Sequence, residues 1–388
     1  MNLKLDIILL LTLSIAPQLL ISQNIPYQGT PYIENFNPNS QNTRGQILTI
    51  AQDQRGIMYF GGKNGLYEFD GASWRNYPIS NKTSIKSLAI DSLGIIYAGG
   101  NNDFGVFMPN ATGSLEYHSL YLPAPKGAPF FQSIMKTFIT DQGVYFISKK
   151  RIFRYKNNSI EVIHVNLQAP CAFFVNGTIY VKDLAKGLCK IDETQIIPLE
   201  GCEEFNALTK SYFFINSYSD NELLFSLIKE NLFFTYNTVS HVLKPFTISD
   251  DTKRYLEENF QFTSTQTARG DFAIGTAKGG ILLMNKKGET IRIINTNRGL
   301  STNLIYSVFS DAEDNLWASS FKGVSRIDIS HPAIFYNKNQ GLESNVVCSK
   351  YHNNTQYIGT NTNFYYLPEH NFSVSNDNHV IKRIKPPP

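Results

Sequence analysis

Between Asn303 and Ile329 the chain reads NLIYSVFSDAEDNLWASSFKGVSRIDI, and its apolar and polar positions fall into three parts. Large apolar residues alternate with smaller or polar ones over 304–309, the period of two expected of a half-buried strand. A polar turn at 311–315 leads into a second strand over 315–319 that carries Trp317. A further turn at 321–323 leads into a third strand over 324–329. Short strands joined by tight turns make a meander that cannot bury its own faces, so the unit has to stack against copies of itself.

Such copies recur along the chain. The first runs from Gln46 as QILTIA, turn DQRG, IMYF, turn GGKNG, then strands over 66–69 and 74–77, and the second is SIKSLAIDSLGIIYAGGNNDFGVF over 84–107. Weaker copies lie at 134–155, 172–191, 212–236 and 260–284; the opening stretch is the seventh, and an eighth starts at Asn345. Their first turns, marked by Asp53, Asp91, Asp141, Asn176, Asp220, Gly270, Asp314 and Asn353, are 35 to 50 residues apart. Four-stranded propeller blades repeat at about 40–45 residues, so the pattern predicts an all-β, seven-bladed β-propeller followed by the first blade of a second one.

A helical solenoid is excluded, because no stretch after residue 22 keeps a 3.6-residue apolar period for three turns. Residues 251–259 offer one or two turns, and the adjacent acids Glu203 and Glu204 read as a solvated connection. Blade geometry then assigns sides. The turns between the second and third strands share one face with the connections between blades, and the turns between the first and second strands lie on the other. Asp53, Asp91 and Asp314 are read as turn formers, and Trp74 and Trp317, at core-facing phase, as blade packing.

Composition agrees with sheet: the 388 residues include 27 Phe and 21 Tyr, and only 17% are charged, a balance that fits pleated, half-buried surfaces. A net charge of +3 is too mild to point to nucleic acid. The first 22 residues stand apart. Lys4 precedes an apolar run over 7–15, broken at Pro17 and short of the roughly 20 residues of a membrane span, with Ser22 at a passable cleavage point. The expectation is export to the periplasm, with a membrane reached only through a part C-terminal to this chain. The four cysteines lack CxxC pairs; Cys171 pairs with Cys189 or Cys202, or the thiols are free and buried.

The segments IAQDQRGIMYFGGKNGLYEFDGASWR, SLAIDSLGIIYAGGNNDFGVF and SVFSDAEDNLWASSFKGVSRIDI resemble the two-component regulator propeller repeats of bacterial periplasmic sensor regions, common in Bacteroidetes. The lead-in GTPYIENFNP and the connection SHPAIFYNKNQGLESNVV resemble the flanks of those repeats. The resemblance spans roughly residues 29–367 and implies a ligand-sensing region that works as a homodimer, with no contact to nucleic acid of its own. The family's plan of two propellers, a membrane helix and an output module is not completed within this chain, so a stand-alone module or truncated remnant is the alternative. The expected organisation is a signal peptide at 1–22, a lead-in at 23–43, the propeller at 44–341 and the start of a second propeller at 342–388. Copy seven is expected to have its own outer strand at 333–336. The alternative is an eight-bladed ring in which copy eight pairs with the N-terminal strand 32–36.

No catalytic residue, cofactor or metal site is expected. The seven histidines are scattered, and no phosphate loop, dinucleotide fingerprint or nucleophile elbow is present. One pattern remains. Aligning the turns between second and third strands (GGKNG, SKKR, DLAKG, LIKEN, TAKGG, SFKGV) places Lys63, Lys150, Lys186, Lys229, Lys278 and Lys322 at near-equivalent positions in six blades. Lysines converging on one face focus a positive field. With Asn64, Asn102, Asp103, Arg298 and Asn303 they form the expected mouth for a small-molecule or oligosaccharide ligand, a carbohydrate or another ligand, anionic ones included. A propeller enzyme such as a polysaccharide lyase is the second alternative.

Overall fold

The computed structural model describes residues 30–38, 46–79, 84–121, 132–208, 212–330, 335–336, 338, 341–353, 355–367 and 381–384, with the backbone only at 169–171. The expected signal peptide lies outside them. Among the described residues every sheet is four-stranded and antiparallel, and all but one run in chain order as a meander. Seven inner strands, Ile47–Gln52, Ser87–Ile90, Lys136–Thr140, Leu167–Val175, Phe213–Ser219, Gln261–Gln266 and Ser307–Ser310, each lie beside the next, and the last returns to the first. We number the blades 1 to 7 in that order.

Closure departs from the expectation. Blade 7 takes its outer strand from the start of the chain: Tyr32–Phe36 pairs antiparallel with Gly323–Asp328, Tyr32 opposite Asp328 and Phe36 opposite Val324. Ser325 donates from Oγ to Asn35 Oδ1 at 2.6 Å, and Asn35 donates from Nδ2 to the Gly299 carbonyl at 2.8 Å. The lead-in is therefore part of the ring. Phe335, expected in the outer strand, instead makes a single bridge with Thr30, while 331–334 lie outside the described residues. The eight-bladed alternative fails for the same reason, since the N-terminal strand is taken by copy seven. Copy eight forms a separate sheet (Val346–His352, Thr355–Thr360, Phe364–Leu367, Lys382–Arg383) over a small core of Ile358, Tyr365 and Ile381.

Each blade junction has its own apolar cluster, seven in all. At the closing junction Trp317, 3% exposed, meets Phe36 from the N-terminal strand (ring centroids 5.9 Å apart) and Phe60 from blade 1 (5.6 Å). The expected packing role of Trp317 holds.

Three junctions share one device. The backbone N–H of Ile85, Ile134 and Ile305, each just ahead of an inner strand, donates to the end of the preceding blade's second strand, at Gly62, Gly100 and Thr276 respectively. The isoleucine side chain then sits where a Cβ would be on a glycine of that strand. Ile85 faces Gly61 and Ile134 faces Gly99, and at Gly275 an added Cβ would fall 2.9 Å from Ile305 Cγ2. Real Cβ atoms do not tolerate such approaches, so these glycines are sockets for the neighbouring blade.

The turns on the opposite face repeat as closely. Asp53 Oδ1 accepts from the N–H of Arg55 and Ile57, Asp91 Oδ1 from Leu93 and Ile95, and Asp311 Oδ1 from Glu313 and Asn315, all within 3.0 Å. The turn former of blade 7 is thus Asp311, three residues before the expected Asp314, and its other oxygen accepts from Trp317 Nε1 at 2.8 Å. Asp314 has φ +62° and takes the place that Gly56 and Gly94 hold in blades 1 and 2.

Two helices exceed the expectation. Asp250–Asn259 is a full ten-residue helix capped by Ser249, whose Oγ accepts from the Thr252 N–H, and it buries Tyr255 and Leu256 between blades 5 and 6. Glu203–Leu208, read as loop, is a short helix that buries Phe205. Cys189 and Cys202 are free and buried, so neither joins a disulfide. Burial pushes their pKa values up to about 11 and about 12.

Candidate functional site

The antiparallel meander carries all the turns between second and third strands to one face of the ring. The six lysines are all exposed there. Backbone contacts set their turns: the Lys63 N–H donates to the Gln46 carbonyl, and the Lys186 N–H to Asp183 Oδ1. Lys150 Nζ donates to Asn166 Oδ1 at 2.6 Å and Lys322 Nζ to the Ser301 carbonyl at 3.1 Å, while Lys278 Nζ lies 5.0 Å above the Phe260 ring. Lys229 is the remaining member. Among the described residues every ion pair within 4.0 Å uses an arginine, so none of the six lysines is in one, while Lys186 acts at longer range on the Asp183 carboxylate.

The other expected mouth residues divide. Asn64 is exposed. Asn102, at φ +52°, accepts on Oδ1 from the Gln132 N–H at 2.8 Å, and Asn303 Oδ1 accepts from the Thr296 N–H at 2.8 Å, so both amides hold connections in place. Arg298 is half-buried beside Tyr255 and Tyr336, and burial pulls its pKa down. Asp103 does not face the mouth. Its carboxylate is buried within blade 2, where Ser119 Oγ (2.6 Å) and Tyr117 OH (3.1 Å) donate to it.

The structure adds residues that strand phase alone did not reveal. Along Gln261–Gln266 the pairing slips between Gln261 and Thr263, so Phe262 is the extra residue of a β-bulge. A bulge re-aims the side chain it carries, and Phe262 is 50% exposed. Tyr306 holds the matching place in blade 7, one residue after Ile305, and its ring lies 6.2 Å from that of Phe262. Phe260 is 49% exposed and has φ +56°. The aromatics stood in the sequence; the bulge that carries Phe262 did not.

A cavity of about 330 Å³ opens among the inner strands of blades 3 to 6. Phe138 and Phe174, stacked 5.7 Å apart, form one wall. Asn216 and Ser264, hydrogen-bonded to each other at 3.0 Å, and Gln266 form the other. Among the described residues no cluster of His, Cys, Asp and Glu is suited to hold a metal ion.

Neither a protein-family model nor a curated protein matches the chain. Solved structures do. The extracellular domain of the putative one component system BT4673 from B. thetaiotaomicron superposes with a TM-score of 0.58 at 15% identity, over 88% of this chain and 46% of that one. Virginiamycin B lyase from Staphylococcus aureus gives 0.55 at 16% identity over 76% of this chain and 98% of its own. The WD40 propeller domain of Doa1 gives 0.54 at 12% identity over 78% and 97%. At these identities the likeness is one of fold: the chain is a β-propeller of the architecture found in that extracellular domain, and it spans less than half of its length.

Proposed function

We propose that this chain is a periplasmic, ligand-sensing propeller of a signal-transduction regulator, and that it takes an anionic carbohydrate at the face that carries the lysine turns. The observation that carries the reading is the set of six exposed lysines on one face, none of them in an ion pair within 4.0 Å among the described residues. Exposed cations left unpaired around a concave mouth raise the local concentration of anions, and the effect weakens with salt. Likeness to an extracellular regulator domain supports the sensing role, and the leader-like first 22 residues support export. Ligand binding then acts by biasing the arrangement of propellers in a homodimer toward one state.

Calorimetric titration with polygalacturonate against neutral dextran tests the reading. The wild type is expected to bind the acidic polymer, and the Lys63→Glu, Lys278→Glu, Lys322→Glu triple variant to lose at least about tenfold in affinity, roughly 1.4 kcal/mol. Unchanged affinity removes the lysine face from consideration. The lyase alternative predicts new chain ends when the protein is incubated with the polymer, and their appearance would replace sensing with catalysis.

A further inference from the structure

We propose that the rim of blades 6 and 7 is a ring-stacking subsite: Phe260, Phe262 and Tyr306 receive the flat face of a six-membered ring whose carboxylate is taken by Lys278. The proposal rests on the reading that the lysine-bearing face binds an anion, and it names the part of the ligand that face selects.

Three independent features converge there. The first is exposure. Phe260 and Phe262 leave about half of each side chain in water, although the neighbouring cluster between blades 5 and 6 buries Phe233 and Phe272 nearly completely. The second is the backbone. Phe260 ends the helix Asp250–Asn259 at φ +56°, ψ +115°, a conformation in which a bulky residue is an outlier and glycine is at ease. Retaining Phe there sacrifices stability. The carbonyls of Asn259 and Phe260 both accept from the Ala277 N–H, which anchors this point beside Lys278. The third is charge. Lys278 Nζ lies 5.0 Å from the centre of the Phe260 ring, so the ammonium is held over an aromatic face and not by a carboxylate.

Phe262 and Tyr306 lie 6.2 Å apart, tilted by 52° to each other, with Phe262 half exposed two residues along the chain from Phe260. What such a set of side chains selects is a ring with an apolar face and an anionic edge. C–H groups or a π system cover the phenyl faces, and a carboxylate exchanges the cation–π contact of Lys278 for a charge-assisted hydrogen bond. A uronic acid and an aromatic acid both have this chemistry.

The test measures binding of digalacturonate, 4-hydroxybenzoate and tripolyphosphate to the wild-type chain and to Phe260→Gly, Phe262→Ala and Phe262→Trp. Phe260→Gly and Phe262→Ala are expected to weaken one of the ring acids at least tenfold and to leave tripolyphosphate within twofold. Phe262→Trp should retain the ring acid, and Phe260→Gly should raise Tm, which separates lost stacking from lost folding. Whichever ring acid responds identifies the source. Ring-acid affinity unchanged by Phe260→Gly and Phe262→Ala overturns the subsite and leaves the lysine face standing. Equal losses for tripolyphosphate overturn it as well, and a wild type that binds none of the three removes subsite and lysine face together.

Discussion

Two arcs of the ring join the same four-stranded blades in different ways. At the junctions of blades 1 with 2, 2 with 3 and 6 with 7, the second strand presents Gly61, Gly99 and Gly275 as sockets for an isoleucine of the next blade. By strand register the same position in blades 3, 4 and 5 is Ile147, Lys182 and Ser226, all buried. There the junctions are filled by bulk. Phe205 packs against Phe225 at 4.9 Å and Phe173 against Phe213 at 5.3 Å. A socket demands one residue type, whereas a filled junction accepts any set of apolar side chains of suitable volume. The first arc therefore keeps a recognisable repeat and the second is free to drift, even to the point of burying a lysine.

The largest test of this contrast is at the seam. Trp317→Ala empties the space between Phe36 and Phe60 and strips Asp311 of its indole donor; we expect a loss of about 3–5 kcal/mol in urea unfolding, and a loss below about 1 kcal/mol would show that closure does not depend on this cluster. Next is the socket. Gly99→Ala should lose about 1–3 kcal/mol by overpacking, with part of the loss recovered when Ile134→Ala is added, whereas Ser226→Ala, whose Oγ is buried without a hydrogen bond, should be neutral or stabilising. Strict additivity of the Gly99 and Ile134 changes would break the comparison.

The smallest effect belongs to Lys182. It is 4% exposed, lies 5.7 Å from the Phe205 ring, and burial pulls its pKa from 10.5 down to about 8. Because the folded chain holds this proton less tightly than the unfolded one, stability should rise as pH climbs from about 8 to about 10.5, with the penalty fully present below 8. Lys182→Met should flatten that rise and add roughly 1–2 kcal/mol at pH 7. A slope that persists in the variant would place its origin elsewhere.

The socket arc explains what was legible in advance. Turn residues such as Asp53 and Asp91 advertise themselves because their carboxylates must reach two specific N–H groups, and 32–36 was legible as a short strand. Its partner was not, because antiparallel register says nothing about which distant edge a strand will meet. Asp311 was hidden behind Asp314, since both acids sit in one turn and only the hydrogen bonds distinguish the one that builds it. The site divides likewise. Lys63 and Lys322 follow from turn position, but Asp103 is captured by Tyr117 and Ser119 from the next strand, a pairing no local pattern encodes. Phe262 is half exposed at the point where one extra residue enters its strand.

The outer strand of blade 7 has a consequence in time. Ribosomes release a chain from its N-terminus at about 5–20 residues per second, and Asn35 must wait for Ser325, 290 positions later. For roughly 15–60 s a growing chain carries an unsatisfied strand while blade after blade assembles behind it. Until residue 328 emerges, the half-built ring has two open ends and its first strand is available to any other edge, so whatever escorts the nascent polypeptide must shield Tyr32–Phe36 longest of all.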